Sequence, residues 1–446
     1  MTAFAVVLCV CGCASQTRVV PVGPEVDVSR DAAGQAEVTI AAAPGDPARF
    51  LAGSNDSGFG TRVYESLDRG SHWTSLAGPA PPSDEDSCGS SDPGGAIDSL
   101  GREQYVFLDS SCGSDYARVF VSHRSGPEAV WETPAKPVAP AGILDDDDKP
   151  SIAVDESEDG PHPHRSYVVW TRLRSNVIRV LLAASDDGGR TWGAPVTVAT
   201  TFGAAVASVA VGRRGAVYVV WADPLAPKLV IARAADGRHF ATRRQFAAAR
   251  GPVTQSCRQG APAASIPAQP TRCVIRNPQL AVDLSGNERD GRVYVLYGNG
   301  TRAGVQDVFV QAFDRQLNPE AGFPRRVNPP DGSTPSDQFL PAAAVDRKSG
   351  TLWVCFYDTR GDRSRRRAWF TCTASRSGGT SFAHPRRAAA VASDETRDPA
   401  DTEFGYGEYA GVAVAGGVAH PIWTDSRRIG PAAEEIFTRP LRLEGG

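Results

Sequence analysis

The stretch that decides the fold is Ser185-Asp-Asp187-Gly-Gly189-Arg-Thr-Trp192, which has the form Ser-x-Asp-x-Gly-x-x-Trp. A second copy, Ser66-Leu-Asp68-Arg-Gly70-Ser-His-Trp73, matches it at all four fixed positions. These residue types suit a tight hairpin turn, because Ser and Asp side chains can bond the turn's own backbone, Gly accepts a positive φ, and Trp packs beneath. We therefore predict that both stretches, called here the Asp/Ser turns, are structural.

A second pattern recurs along the chain around these turns. A small apolar strand ends in Asp or Gly, and after a turn comes an alternating strand that closes in an aromatic residue, as in Ile152–Asp155 followed by Tyr167–Trp170. Seven such units, roughly 50 to 75 residues apart, are typical of four-stranded sheets arranged radially. We predict an all-β fold, a β-propeller of seven four-stranded blades over residues 31–446. Six blades is the alternative, because the first two units are weak.

A propeller needs its ring to be closed, since closure removes free sheet edges. Val26-Asp-Val28 has the alternation of a short strand, and so has Ile436-Phe-Thr438 near the other end of the chain. We predict that these two segments pair in the last blade.

The Asp/Ser turns and the blade pattern resemble the Asp-box of sialidases and related β-propellers. The resemblance covers most of residues 35–446, at the level of the blade pattern, and implies a glycan or glycoconjugate as ligand. In that family a Tyr nucleophile is supported by a Glu, an Asp acts as acid/base, and three Arg bind the substrate carboxylate. The planar fork of Arg matches a carboxylate bidentately.

Carried over position by position, the resemblance implies Asp56 as the acid/base, in the loop before the first Asp/Ser turn. It implies Tyr409 as the nucleophile, at the start of the last blade, with Tyr406 and Glu408 beside it. It also implies Arg360, at the end of a second strand, as a ligand for an anionic group.

The chain departs from that pattern at several places. Gln35–Ile40 contains no arginine where the first one is expected, and Leu340 stands where the supporting Glu is expected. Arg427 and Arg276 are the remaining candidates for the arginine set. The repeated Asp-x-Arg at Asp358/Arg360 and Asp425/Arg427 suits an ion pair between loops equally well.

Two functions therefore stay open. The first is a sialidase-like glycoside hydrolase or a degenerate relative of one. The second is a non-catalytic propeller that binds a protein or a polysaccharide, since fold does not fix function. Convergence of Asp56, Tyr409 and Arg360 on one end of the central channel would favour the enzyme.

The N-terminus predicts export. Residues 1–13 form an apolar run that ends in Val10-Cys-Gly-Cys13, which looks like a bacterial lipobox with Cys13 as the lipidated residue. A buried first strand is the alternative. Residues 14–30 are expected to be a tether, and the protein is expected in the cell envelope or outside the cell, with the lipid anchor as its only membrane contact.

Cysteine usage supports the same compartment. Three of the nine cysteines lie in the predicted signal, and the other six form sequence-local couples. Disulfides in an oxidising compartment are the simple interpretation, with free buried thiols as the alternative. The predicted pairs are Cys88 with Cys112, Cys257 with Cys273, and Cys355 with Cys372.

Charge excludes one class of partner and leaves one cofactor open. The formal net charge is −4 and no basic stripe appears, so we expect no nucleic acid partner. The acidic run Asp145-Asp-Asp-Asp148 is expected to be a solvated loop between blades, with a structural calcium site as the alternative. No other cofactor is expected, and we expect a monomer.

Overall fold

The computed structural model describes residues 17–445 except 59, 84–85, 114–115, 143, 157–159, 203–205, 224–227, 249–262, 303–304, 398–403 and 428–433. Within these ranges the chain is built from short antiparallel strands and a single 3₁₀ turn, Arg213–Gly215. No helix in the described ranges is long and apolar enough to cross a membrane.

The strands form seven sheets arranged as the blades of a propeller, which confirms the predicted fold and the blade count. Two N-terminal strands come first: β1 (Arg18–Pro21) and β2 (Val26–Asp27). Blades 1 and 2 contain β3 (Gln35–Ala42), β4 (Phe50–Asp56), β5 (Gly60–Ser66), β6 (Thr74–Ala77), and then β7 (Ser87–Ile97), β8 (Glu103–Ser111), β9 (Ala117–Arg124). Blades 3 and 4 contain β10 (Asp146–Val154), β11 (Ser166–Arg174), β12 (Val177–Ser185), β13 (Val196–Phe202), and then β14 (Ala207–Val211), β15 (Val217–Asp223), β16 (Lys228–Ala234), β17 (Thr242–Ala248).

A separate hairpin lies between blades 4 and 5 and consists of β18 (Ala263–Ile266) and β19 (Gln269–Ile275). Blades 5 and 6 contain β20 (Gln279–Val282), β21 (Val293–Arg302), β22 (Val305–Phe313), β23 (Arg325–Arg326), and then β24 (Gln338–Val345), β25 (Leu352–Asp358), β26 (Trp369–Ser375), β27 (Arg386–Arg387). Blade 7 contains β28 (Gly411–Ala415), β29 (Val418–Asp425), β30 (Glu435–Thr438) and the flanking strand β31 (Leu441–Glu444).

The ring is closed by both ends of the described chain. Val26 pairs with Thr438 and Asp27 with Phe437, so β2 is the outermost strand of blade 7 and the predicted closure is confirmed. Arg18–Pro21 pairs with Leu441–Glu444 beside it. The expectation of a tether over 14–30 is therefore wrong for these segments, because their backbone groups complete the last sheet.

The core consists of one apolar cluster at each interface between blades. At the interface of blades 3 and 4, for example, Val169 and Leu182 pack against Val209 and Trp221. Seven such clusters follow one another around the ring. Each blade thus buries both faces against its neighbours, which a single blade cannot do alone.

The Asp/Ser turns lie between the third and fourth strands, at the outer edge of blades 1 and 3. In the second one, Ser185 Oγ accepts the Gly189 amide at 2.9 Å and Asp187 Oδ1 accepts the Thr191 amide at 2.9 Å. The first turn repeats this pattern, with the amide of Gly70 on Ser66 Oγ at 2.9 Å. The side chains thus hold the turn itself and point away from the central channel.

Two of the three predicted disulfides are present: Cys88–Cys112 and Cys355–Cys372. Cys355 and Cys372 face each other on neighbouring strands of one hairpin, as predicted. Cys257 lies outside the described residues, so its pairing with Cys273 stays a prediction. Cys13 and the rest of residues 1–16 also lie outside them.

Candidate functional site

The first strand of each blade lies nearest the central channel and is called here the inner strand. Each blade has one residue at an equivalent position near the start of its inner strand. That residue lies two positions before an inner-strand residue that pairs with the second strand of the blade: Thr39, Gly94, Ser151, Ser208, Gln279, Ala342 and Gly411. We call the set the mouth ring: Glu37, Asp92, Lys149, Val206, Asn277, Leu340 and Tyr409.

A backbone irregularity aims several of these side chains. The ladder between the first two strands shifts register at Glu37, Asp92, Lys149 and Leu340, and each of these residues has a positive φ of 49° to 59°. Such values are uncommon outside glycine. A β-bulge re-aims a side chain that would otherwise alternate along the strand, so this repeated bulge turns the ring residues toward the channel mouth.

An ammonium group links three carboxylates from three blades at this mouth. Lys149 Nζ lies 2.6 Å from Glu408 Oε2, 3.1 Å from Asp92 Oδ2 and 3.5 Å from Glu37 Oε2. The three carboxylates are buried, and Lys149 is partly buried. Because one cation is shared, the carboxylates of blades 1, 2 and 7 lie within a few ångströms of one another.

The hairpin β18–β19 brings a second cation to the same cluster. Arg272 lies 2.7 Å from Glu37 Oε1 and 3.4 Å from Glu408 Oε1. On the same hairpin, Gln269 accepts the Tyr406 amide at 3.0 Å. The hairpin also packs on Leu340, in a cluster with Ile266 and Val274. It therefore covers the part of the mouth nearest blades 6 and 7.

The pKa values of the carboxyl groups at the mouth are shifted in opposite directions. Burial, opposed by Lys149 and reinforced by Glu408 and Asp92, raises the pKa of Glu37 to about 8. Burial would raise the pKa of Asp92 as well, but Lys149 and a hydrogen bond to Asp148 lower it. Desolvation and the charges of Asp92 and Glu408 raise the pKa of Asp148 to about 7. Asp148 nevertheless keeps contact with solvent, and it directly precedes Lys149 in the chain.

A cavity of about 260 Å³ opens at the mouth ring. Lys149, Asn277 and Tyr409 line it together with inner-strand residues such as Ser208 and Gln279. Typical ligand pockets measure roughly 300–1,000 Å³, so this cavity has room for about one sugar unit. Its lining offers amide, hydroxyl, phenol and ammonium groups, which suit hydrogen bonding to sugar hydroxyls.

Of the residues implied by the resemblance, Tyr409 is the one placed at this cavity. Desolvation, with Asp92 and Glu37 adding to it, holds the pKa of Tyr409 well above its usual value. Its phenol is therefore neutral. Asp56 lies elsewhere: Arg62 Nε donates to it at 2.6 Å and the Gly58 amide at 2.7 Å, and it lines a separate recess with Phe404.

The three arginines are also dispersed. Arg360 lies at the edge of blade 6 and donates to the Pro329 carbonyl oxygen at 3.1 Å. Arg427 pairs with Asp425 at 2.5 Å and with Glu25. Arg276 precedes Asn277 and has its pKa lowered by desolvation. The structure thus does not bring Asp56, Tyr409 and Arg360 together. It does show an Asp-x-Arg contact at both expected places, since the Arg360 amide donates to Asp358 as the Arg427 amide does to Asp425.

The acidic run is not the solvated loop that the sequence predicts. Asp146–Val154 is the inner strand of blade 3, and Asp147 is buried beneath Arg172 at 2.6 Å and the Trp170 indole at 3.0 Å. The acidic run can form a strand because its carboxylates have hydrogen-bond donors or cations close by, such as Lys149 and Arg172. Among the described residues no group of three or more His, Cys, Asp or Glu could hold a metal ion, and calcium stays an untested expectation.

Sequence reasoning missed Glu37, Asp92, Lys149 and Arg272, although a signal for two of them exists. Asp92, Lys149, Asn277 and Leu340 each precede a proline, and each lies six positions before an aspartate that follows the inner strand. Proline disfavours the helical region for the residue before it and cannot donate to a ladder. A proline one position later and an aspartate six positions later, repeated in several blades, therefore mark the bulge position. Nothing comparable marks Arg272, which comes from an insertion.

Comparisons with known proteins place the chain among remote structural relatives. No protein-family model and no curated protein matches it by sequence. The α-L-arabinofuranosidase Arb93A from Fusarium graminearum is 10% identical, covers 96% of this chain and 97% of its own, and has a TM-score of 0.47. The BP39L lectin from Burkholderia pseudomallei is 15% identical over 78% of this chain and 83% of its own, with a TM-score of 0.47.

The Hadza microbial sialidase Hz136 is 14% identical over 89% of this chain and 73% of its own, with a TM-score of 0.46. These likenesses are too distant to carry an argument about activity. The fold on which this chain builds its site is the seven-bladed propeller.

Proposed function

We propose that the protein is a glycoside hydrolase that acts on a sugar unit held at the mouth ring. The observation that carries the proposal is the position of Asp148, a solvent-accessible carboxyl that is hydrogen-bonded to the buried Asp92 and directly precedes Lys149 in the cavity lining. Desolvation and the charges of Asp92 and Glu408 raise the pKa of Asp148, while Lys149 lowers the pKa of Asp92. Neighbouring carboxyl groups whose pKa values are pushed apart are the usual source of an acid and a base in one site. Asp148 would protonate the leaving oxygen, with Asp92 holding it in place.

The charge of the mouth favours a neutral sugar. Asp148 joins Glu37, Asp92 and Glu408, and these carboxyl groups face two cations, Lys149 and Arg272. The guanidinium of Arg272, which could otherwise bind a sugar carboxylate, is already bound to Glu37 and Glu408. Tyr409, the nucleophile implied by the resemblance, would attack the sugar from the opposite side of the ring, and its phenol proton would pass to a carboxylate of the mouth such as Glu408.

A fluorogenic panel of neutral glycosides together with a sialoside tests this proposal. We expect turnover of a neutral glycoside and a loss of about 100-fold or more in Asp148→Asn, because general acid catalysis contributes 10²–10⁴-fold. The loss should shrink for a 4-nitrophenyl leaving group, which needs less protonation. Glu156→Gln is the matched control, since Glu156 lies near the opposite end of the channel. Turnover unchanged in Asp148→Asn would overturn the proposal.

One observation favours a second candidate, a glycan-binding propeller without catalysis. Glu37 and Asp92 are buried and already saturated by Lys149, Asn55 and Arg272. A purely structural role, in which the cluster holds the mouth in shape, accounts for these contacts. Sugar binding that is measured by calorimetry, is weakened in Tyr409→Ala and occurs without turnover of any glycoside would establish this candidate instead.

We also place the protein outside the cytoplasm. Two disulfides support this location, because such bonds persist in oxidising compartments. Anchoring through Cys13 is part of the same proposal. Radiolabelled palmitate in the full-length protein, and its loss in Cys13→Ala, would test it.

A further inference from the structure

The loop between β25 and β26 carries an unusual concentration of positive charge. Residues 358–367 contain five arginines and two aspartates, in a chain whose formal net charge is −4. The guanidinium of Arg365 is turned inward, onto Asp337 at 2.7 Å and 2.8 Å. Arg363, Arg366 and Arg367 are exposed, and of these Arg366 donates to Thr396 Oγ1 at 2.7 Å and Arg367 lies 3.6 Å from Asp362 Oδ1. We call these three residues, together with the exposed Arg387, the arginine rim.

The backbone of this loop is fixed from within. Asp362 is buried, and its carboxylate accepts the Arg366 amide at 3.1 Å, the Arg367 amide at 2.9 Å and the Ser364 hydroxyl at 2.7 Å. These bonds hold the pKa of Asp362 at about 2, below its usual value, although burial opposes them. The loop therefore presents its outward arginines without a large ordering cost.

The fourth member of the rim is also positioned in advance. The Arg387 guanidinium stacks on the Trp369 ring, 3.6 Å from its centroid, and donates to the Arg360 carbonyl oxygen at 2.7 Å. Gln338, at the start of β24, pairs with Asp358, at the end of β25. Since Leu340 of the mouth ring follows two residues after Gln338, the rim lies on the same face of the propeller as the mouth.

We propose that the arginine rim binds an acidic polysaccharide, one that carries carboxylate or sulfate groups. The rim is separate from the charged residues around Lys149, and this inference does not depend on catalysis at the mouth ring. Arginine forks match planar and tetrahedral oxyanions bidentately, and the three in a fixed loop together with the one on β27 suit a repeated anion. The chemistry favours a glycan over a nucleic acid, because the basic area is one loop and its aromatic ring, Trp369, is already covered by Arg387.

Binding of polygalacturonate and chondroitin sulfate to the purified protein tests this inference, with dextran as the neutral control. We expect binding at 50 mM salt that weakens as salt is added, and no binding of dextran. The variant in which Arg363, Arg366 and Arg367 are all replaced by serine should bind roughly tenfold more weakly, because three charge-assisted contacts are removed. The Asp362 bonds involve backbone amides, so the loop keeps its anchors.

A charge-matched control replaces Arg179, Arg238 and Arg244 by serine. These residues are exposed on blades 3 and 4, away from the rim, and the control should bind as the wild type does. Arg363→Ser alone, with a smaller loss, serves if the triple variant does not fold. Asp148→Asn should bind normally, which separates this inference from the proposed hydrolysis. Equal binding by the rim variant, no binding of either acidic polysaccharide, or tighter binding of oligo-dT or phosphatidylglycerol vesicles would overturn it.

Discussion

Lys149 is the residue on which the electrostatics of the mouth depend. Its ammonium is the shared partner of Glu37, Asp92 and Glu408, and the three carboxylates come from different blades. A buried charge cluster adds little stability as a whole, but removal of one partner leaves the others uncompensated. The stability of the propeller and the protonation of its mouth are therefore coupled through this single side chain.

We predict that Lys149→Met lowers the free energy of unfolding by about 3–5 kcal/mol at pH 8. The buried carboxylates of the variant have folded-state pKa values above those of the unfolded chain, so the folded variant gains protons and stability as the pH falls. The loss should therefore be smaller at pH 5. Urea unfolding at both pH values measures it, with the exposed Lys136→Met as control. A loss that is the same at pH 5 and pH 8 would contradict this account.

Glu37 gives a pH dependence of the same sign in the wild type. Its folded-state pKa of about 8 lies above the ordinary value of 4.5, so its contribution is fully present below about pH 4.5 and is lost as the pH rises to 8. The slope that it adds cannot exceed about 1.4 kcal/mol per pH unit.

Glu37→Gln resembles the protonated side chain and should flatten the stability curve between pH 5 and pH 8. Chemical unfolding across that range measures the slope. Glu444→Gln, at an exposed carboxylate on β31, should leave the slope unchanged. A wild type and a Glu37→Gln variant with parallel curves would show that Glu37 is ionised throughout.

At the scale of the element, the Asp/Ser turn is a self-contained unit. Its carboxylate and hydroxyl satisfy amides that are at most a few residues away, which is why the sequence alone predicts it. The bulge at the mouth ring has no such local partner. Its ring residue is held by ladders on both sides and by side chains from other blades, and those contacts are invisible in one stretch of sequence.

We predict that Asp187→Ala costs about 1–2 kcal/mol, because it removes acceptors for the Thr191 amide and hydroxyl. Glu128→Ala, at an exposed carboxylate, is the control and should change stability by no more than about 0.5 kcal/mol. Thermal unfolding compares the two variants, and glycan binding or turnover should be unchanged in both. A cost for Asp187→Ala no larger than that for Glu128→Ala would contradict the structural role of the turn.

At the scale of the whole molecule, stability depends on ring closure. Val28 is buried between blades 7 and 1, in a cluster with Val38, Tyr64, Ile422 and Ile436, and its amide donates to the Ile436 carbonyl oxygen at 2.7 Å. The N-terminal strands therefore help to join the last blade to the first, and a loss here weakens that interface.

Val28→Asp should lower the free energy of unfolding by more than about 3 kcal/mol, because it buries an unpaired carboxylate. Val22→Asp, at a side chain that is 40% exposed, is the control and should change stability little. Guanidinium unfolding followed by tryptophan fluorescence measures both. A Val28→Asp protein as stable as Val22→Asp would mean that the ring closes without β2.

The whole-molecule scale also explains what sequence could and could not predict. The period of the apolar strands predicts seven blades, and Val26–Val28 predicts the closing pair, because both follow from local alternation. The mouth cluster joins Glu37, Lys149, Arg272 and Glu408, which are far apart in sequence. Their meeting depends on ring curvature and on an insertion. The resemblance placed Tyr409 at the cavity, while Asp56 is held by Arg62 in a separate recess.

The mouth ring has a consequence for how such a protein can change over time. Each of its seven positions is supported by the strand ladder of its own blade, while Leu340 also packs in the apolar cluster of blades 6 and 7 and Lys149 binds carboxylates of other blades. A substitution at Tyr409 therefore alters the chemistry offered to a ligand, whereas a substitution at Lys149 also disturbs the frame. The ring presents seven side chains, at present those of Glu, Asp, Lys, Val, Asn, Leu and Tyr, and selection can substitute them one at a time.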